Sequence, residues 1–496
     1  MIEIDGYTLK LEDVYAIALN KTKVSLSVKS KEIIKKHRKI VEKILGCEKA
    51  VYGINTGVGR LAEVKILGDE LAKLQVNIVR SHAVGVGDPL TPEIVRAAML
   101  LRANTLASGH AGVRPEVVEK LIEFLNKEVI PYVPSKGSVG ASGDLAPLAH
   151  IALAIIGEGY CLEEGKKVPT LDVLKKKQIA PLKLQAKEGL SLINGTQATT
   201  AVLSLTIKEA EILTTNADII AAMTFEALEG VREELDPRIC EIRPHKGQTV
   251  SLNLMRKFVE NSRLSGSKKK RVQDAYSLRC TPQVHGTVRD TLGFARKIVE
   301  TEINSVTDNP LVFDNGDIIS NGNFHGQYPG MIADFMSISL ATLGNISERR
   351  SFRLLTPELS GLPAFLVKEK GLNSGFMMMQ VTQASLVSYN KVLAHPSTVD
   401  SIPTSANQED FVSMGMNAAL KMREVFQNTR KILAIELIFA VQALEMKNIE
   451  EASTYAKKVV DKVRKKIPHL DVDRFMHEDL IRAENLLKIP LLDVEL

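Results

Sequence analysis

Apolar positions along this chain fall mostly with helical period. The segment LTPEIVRAAMLLRANTLASGHAG has a capping residue in Thr91, proline at the first helical position in Pro92, and Gly109 near its end, which predicts a helix between them. Two longer segments, Gln197 to Glu229 and Met416 to Ile467, contain neither Gly nor Pro. At about 1.5 Å rise per residue, such segments make helices of roughly 40 Å or more. The second is expected to break near Lys447–Asn448, where the apolar pattern thins. Ile432, Ile435, Leu437, Ile438, Val441 and Leu444 cover more than one narrow stripe. Such breadth predicts a helix buried among others, in its own chain or in neighbouring subunits.

Strand signals are few and short. YTLKLEDV near the N-terminus and LVFDNGDIIS from Leu311 to Ser320 read as hairpin-like, the latter turning at Asn315–Gly316. No repeat of solenoid period is present. The expected fold is mainly α, with a smaller mixed N-terminal region over residues 1–190 and a long-helix bundle over 191–496.

Composition narrows the function. The 496 residues are 45% hydrophobic, enough for a large core. The balance of 64 basic and 59 acidic residues leaves a net charge of +5, which points to neither nucleic acid nor an anionic membrane. The runs KKHRK near Lys35 and SKKKR near Lys269 read as solvated surface. Cys47, Cys161, Cys240 and Cys280 form no C-x-x-C pair, and the ten histidines form no H-x-x-x-H pair. Neither a disulfide framework nor a zinc site is suggested. The start, MIEIDGYTLK, has no basic region followed by an apolar run, and no stretch is apolar enough to span a bilayer. A soluble, cytoplasmic, metal-free protein is expected.

Between the helices lie Gly-rich polar loops, of which GSVGASGDLAPLAH, Gly137 to His150, is the most suggestive. Glycine carries no Cβ, so its amide nitrogen can approach a neighbouring carbonyl closely. Attack of the Gly143 nitrogen on the Ala141 carbonyl closes a five-membered ring around Ser142. Loss of water from the ring and of the Ser142 hydroxyl leaves a methylidene group, a strong electrophile made without an imported cofactor. Asp144 stands next in the chain to assist proton transfers. Ser-Gly-Asp alone is more often a helix cap, and the wider context decides.

That context is a series of motifs in order: YGINTGVGRLA, SHAVGVGDPL, GSVGASGDLAPLAH, EGLSLINGTQ, VQDAYSLRC, TDNPLVF, ISERR, GLNSGFM and SANQED. With them the chain resembles the aromatic amino-acid ammonia-lyase family from about Tyr52 to Val412, and within it the branch acting on histidine. The resemblance implies an aspartase/fumarase-like helical bundle, usually a homotetramer with shared active sites. It implies that Ala141, Ser142 and Gly143 become 4-methylideneimidazol-5-one, MIO, with no external cofactor. Tyr52 matches the base for the β-proton, which requires an environment that lowers the phenol's pKa. Arg279 matches the arginine that grips the substrate carboxylate. Asn194, Tyr276, Gln273 and Phe324 match positions lining MIO or the substrate.

Substrate choice rests on polarity. A buried imidazole needs hydrogen-bonding partners, whereas a phenyl ring does not. His82 and Glu409 stand where relatives acting on phenylalanine or tyrosine have an apolar residue and an amide, so they point to L-histidine. Glu409 is ambiguous between binding and base, and Met377 matches a further ring-pocket position. The implied reaction is loss of ammonia from L-histidine to give trans-urocanate. The alternatives are a phenylalanine or tyrosine ammonia-lyase, or an aminomutase. A non-catalytic scaffold would predict decay of the triplet, Tyr52 or Arg279, and all are intact. Three departures stand out: Phe411 where histidine often follows the QED motif, Tyr389 where SENK is usual, and the continuation GQYPG after His325.

Overall fold

The computed structural model describes residues 1–45, 50–66, 68, 70–266 and 271–493. Cys47 and most of the SKKKR run lie outside them. Backbone contacts divide the chain into two compact units. The first comprises Met1–Lys208, Arg296–Asp334 and Pro396–Leu420, and the second Glu209–Ala295, Phe335–His395 and Lys421–Leu496.

The first unit is built on short and medium helices. Pro92–Ala107 starts on Pro92, as expected, with Thr91 at the N-cap position but making no side-chain capping bond, and nearly every residue along it is buried. It packs against Pro115–Asn126 and Leu11–Leu19, while Leu145–Ile155 packs against Glu70–His82 and Glu188–Ile193. Among the described residues, four two-stranded sheets decorate this unit. The hairpin expected at Leu311–Ser320 is present, pairing Leu311 with Ile319 and Val312 with Ile318. Gly316 takes φ +92° at its turn.

Two expectations fail here. The YTLKLEDV segment is not a hairpin strand, because helix starts at Leu11. The Asp13 carboxylate accepts the Lys10 backbone N–H at 3.0 Å, closing the helix start. Buried Leu11, Val14, Ile17 and Ala18 then recur with helical period. The KKHRK run is only partly solvated, since His37 and Arg38 are buried. Arg38 donates to the carbonyl of Ala186 at 3.0 Å and to Gln185 Oε1 at 2.9 Å, and His37 Nε2 lies 2.8 Å from Asp314.

Long helices dominate the second unit. Gln197–Ala227, Gln327–Leu355 and Gly415–Lys447 contribute their C-terminal parts to it. Gly415–Lys447 has 33 residues and ends where the pattern thinned, with Asn448 capping the turn that follows. From Ile432 to Leu444 no residue is more than 2% exposed, so this stretch of the helix is buried on all sides within its own chain. Its breadth therefore gives no argument for neighbouring subunits. Exposed apolar residues lie elsewhere, notably Phe335, Ile338 and Phe352 on Gln327–Leu355 and Met378, Val381 and Val392 on Met377–Leu393.

The core of this unit also holds a charged network. Arg350, from the ISERR motif, is fully buried and grips Glu436 through Nε at 2.5 Å and Nη2 at 2.8 Å. Thr224 donates to the same carboxylate at 2.9 Å. The Arg350 Nη1 lies 3.3 Å from His285 Nε2, and His285 Nδ1 lies 2.6 Å from Asp218. Paired charge is the condition under which ions persist in a core.

Candidate active site

The Gly137–Asp144 loop is clamped from several sides, all in the first unit. The Gly326 amide donates to the carbonyl of Gly140 at 3.0 Å, and the Met414 amide to that of Val139 at 2.8 Å. Ala141 packs with Val412 and Met414 in a small apolar cluster. Ala141, Gly143 and Asp144 are buried, while Ser142 keeps part of its surface open.

Gly143 meets the Gly195 backbone face to face. The two form an isolated parallel bridge, and the Asp144 amide donates to the Gly195 carbonyl at 2.7 Å. A Cβ on Gly143 would lie 2.2 Å from the Gly195 oxygen. One on Gly195 would lie 2.4 Å from Gln197 Oε1, 2.5 Å from Arg102 Nη1 and 2.7 Å from Thr307 Oγ1. Both glycines also have positive φ, +70° and +153°. Sterics and dihedral together require glycine at both positions.

Asp144 begins the Leu145–Ile155 helix and serves as cap for a second one. Its carboxylate accepts the Thr199 amide at 2.7 Å in the first turn of Gln197–Ala227, the Thr199 hydroxyl at 2.8 Å and the Ser138 hydroxyl at 2.8 Å. Burial outweighs these bonds and pushes the carboxyl above its ordinary range. Glu302 is likewise pushed up by burial, although Thr196 donates to it at 2.5 Å.

The structure brings three of the expected site residues together. The Ser142 hydroxyl donates to Glu409 Oε1 at 2.9 Å, and Asn194 Nδ2 donates to the Ser142 carbonyl at 2.8 Å. Glu409 is held through its other oxygen by the Thr404 hydroxyl at 2.6 Å. The Asn194 Oδ1 is buried and has no hydrogen-bond partner among the described residues. Tyr52 is half-buried and its phenol oxygen accepts the Gly59 amide at 3.4 Å. Burial pushes that phenol up, and the negative charges of Glu409 and Asp308 push it further. Within this chain the environment therefore does the opposite of what a neutral-pH base needs.

The remaining expected residues are placed as follows. His82 closes the Glu70–His82 helix, with Nδ1 at 2.8 Å from the Ile78 carbonyl. That bond puts the proton on Nδ1 and leaves Nε2 an acceptor. Phe324 adjoins His325, whose ring stacks on Phe411, one of the departures, at 5.9 Å between centroids. Gln273, Tyr276, Arg279 and Met377 belong to the second unit. Tyr276 is 71% exposed there, with the Arg279 guanidinium 4.6 Å from its ring centre. The Arg279 Nε is buried with no partner among the described residues. Tyr389 is exposed on Met377–Leu393.

Sequence reasoning missed Arg102. It is 1% exposed, and its Nη1 donates to the Asn194 carbonyl at 2.6 Å and to Gln197 Oε1 at 2.9 Å. The available signal was an arginine directly after the apolar run AAMLL. Lys187 and Asp308, a fully buried pair at 2.9 Å, were missed too, although Asp308 stands in the TDNPLVF motif. Among the described residues no cluster of three or more His, Cys, Asp or Glu suits a metal ion.

A glycine-built loop that holds a serine against a carboxylate and an amide defines an aromatic amino acid lyase, and the family model of that description matches residues 9–465. The chain belongs to the aromatic amino acid lyase family. It is 49% identical over 481 residues to histidine ammonia-lyase of Caldanaerobacter subterraneus subsp. tengcongensis, covering 97% of this chain and 95% of that protein. Among solved structures, histidine ammonia-lyase from Trypanosoma cruzi superposes with TM-score 0.92 at 41% identity, covering 98% of this chain and 93% of that one. Tyrosine aminomutase from Streptomyces globisporus superposes with TM-score 0.94 at 38% identity, covering 98% and 96%. The architecture is that of the fumarase/aspartase-like superfamily, as expected, and members of the lyase family use the MIO group.

Proposed function

We propose that this chain is a histidine ammonia-lyase, which eliminates ammonia from L-histidine to give trans-urocanate. The carrying observation is the position of Glu409, a carboxylate bonded to Ser142 at 2.9 Å in a site otherwise made of glycines and an amide. A carboxylate suits an imidazole N–H and would be stranded beside a phenyl ring. The 49% identity to a histidine ammonia-lyase, above the 38% to an aminomutase, supports the same substrate.

Ala141, Ser142 and Gly143 fit MIO. Gly143 is seated where no Cβ is tolerated, and Asn194 Oδ1 is a buried acceptor without a partner among the described residues. When formed, the group supplies an electrophile for the substrate amine, turning a poor leaving group into a better one. The chain's own residues do the rest. Asn194 holds the Ser142 carbonyl oxygen. Arg279 receives the substrate carboxylate, with Tyr276 and Gln273 beside it in sequence. Tyr52 accepts the β-proton at its phenol oxygen. His82 and Glu409 pair with the imidazole, while Phe324 and Met377 pack near the ring system. Loss of the Ser142 hydroxyl in maturation frees Glu409 Oε1 for the substrate, so one oxygen serves first the precursor and then the imidazole.

We further propose a homotetramer in which copies complete one another's sites. An exposed Tyr276, an Arg279 Nε without a partner among the described residues, and the exposed apolar residues Phe335, Ile338 and Phe352 support this. Among the described residues no helix is long and apolar enough to cross a membrane. Cys161, Cys240 and Cys280 are free thiols, in keeping with a reducing cytoplasm.

The test is incubation with L-histidine while following the near-ultraviolet absorbance of urocanate. Turnover of histidine is expected, and Ser142→Ala is expected to abolish it. Turnover of phenylalanine or tyrosine without histidine would overturn the substrate, and accumulation of β-histidine would replace the lyase by an aminomutase.

A further inference from the structure

Gly143 lies against Gly195, and what lies behind Gly195 is Arg102. Its Nη1 donates at 2.6 Å to the carbonyl of Asn194, the residue before Gly195, and at 2.9 Å to the side chain of Gln197, two residues after it. Gln197 is fixed in turn, its Nε2 donating to Thr105 at 3.0 Å and Thr307 at 2.7 Å. The 2.5 Å that would separate a Gly195 Cβ from Arg102 Nη1 measures how closely the guanidinium backs the turn. Arg102 Nε and Nη2 are buried with no hydrogen-bond partner among the described residues. Its donor capacity toward protein is thus directed at the turn rather than at a carboxylate. The site keeps this costly arrangement, and burial pulls the guanidinium down to about 10.

We propose that Arg102 is a positioning residue for formation of the electrophile, holding the Asn194–Gln197 turn so that Gly195 confines the Gly143 amide against Ala141. This rests on the reading above that the triplet cyclises. The Gly143 nitrogen forms a bond to the Ala141 carbonyl carbon and its proton passes to the carbonyl oxygen. That oxygen leaves as water with the Ser142 amide hydrogen, giving a carbon–nitrogen double bond. The Ser142 hydroxyl leaves as a second water with the Ser142 α-hydrogen, giving the methylidene. Two waters are lost and no redox partner is needed. Confinement lowers the entropic barrier of the first bond, where an amide nitrogen must enter another amide's carbonyl. The role ends once the ring is closed, so Arg102 acts on maturation and not on turnover.

The experiment follows intact mass with time after cell-free synthesis of the full chain, for wild type, Arg102→Lys, Arg102→Met and Gln197→Met. Wild type is expected to lose two water molecules. Loss of one charge-assisted hydrogen bond should slow that step by about tenfold in Arg102→Lys and by more in Arg102→Met. The matured fraction of each variant should turn over histidine at the wild-type rate per matured chain, with an unchanged pH profile. Maturation at the wild-type rate in the Arg102 variants would overturn the proposal, as would normal maturation with impaired turnover. If Arg102→Met does not fold, as judged by circular dichroism, Gln197→Met decides, because it removes one grip and keeps the buried charge. Wild type that never loses water would instead remove the cyclisation reading beneath the proposal.

Discussion

Replacing Arg350 by Met tests whether a signature motif serves stability rather than chemistry. The substitution removes both guanidinium bonds to Glu436, at 2.5 and 2.8 Å. It leaves a fully buried carboxylate with the Thr224 hydroxyl at 2.9 Å as its remaining described hydrogen bond. Breaking a buried pair from one side costs about 3–5 kcal/mol, because the remaining charge keeps its desolvation penalty. Removing both charges, in Arg350→Met with Glu436→Leu, restores a neutral core and should lie within about 2 kcal/mol of the parent. The chain has no tryptophan, so unfolding in guanidinium is followed by far-ultraviolet circular dichroism. A single variant within about 1 kcal/mol of the parent, or a double variant no better than the single, would refute the reasoning.

Three further outcomes follow from the geometry. Asp144→Asn should fold to within about 1 kcal/mol of the parent, since one amide can meet the same three partners. It should mature about a hundredfold more slowly for want of a proton acceptor, which intact mass would reveal. Because burial and nearby acids raise the Tyr52 phenol in the isolated chain, activity that needs its ionised form should rise with pH on the alkaline side, and Tyr52→Phe should abolish the rate. A wild-type profile that falls as pH rises through that range would remove Tyr52 as base. His285 is held below its ordinary range by burial, so the folded chain binds that proton less tightly than the unfolded chain. Stability from this residue is complete above the unfolded pKa of about 6.5 and is lost as pH falls through the folded value. A denaturation midpoint that drops between about pH 7 and 5 in wild type, but less in His285→Gln, is expected.

Much of the fold was legible because long apolar patterns without Gly or Pro leave few alternatives to helix. Gln197–Ala227 and the break after Lys447 follow directly from that pattern. The N-terminal segment was misread because eight residues of mixed polarity suit either period, and the Asp13 cap decided for helix. His37 and Arg38 were misread because a run of basic letters hides which side of a helix each occupies. In the site, the triplet, Asn194 and Glu409 were found through motifs. Arg102 was not, because its shortest bond is to a backbone carbonyl and its side-chain partner Gln197 lies 95 residues away, and neither leaves a mark in sequence. The raised phenol of Tyr52 was not foreseen either, since it depends on Glu409 and Asp308, far away in the chain.

The Gly143–Gly195 contact bears on protein engineering. Grafting Ala-Ser-Gly onto another scaffold transfers the atoms of the reagent without the wall that confines them. The smallest portable unit is two loops, with Gly143 sized to Gly195 and the Arg102 helix behind Gly195. A designer must therefore move three segments distant in sequence, and a library that varies the triplet alone samples the wrong variable. By the same logic neither position can drift during divergence, since Gly143 is walled by Gly195 and Gly195 in turn by Arg102, Gln197 and Thr307.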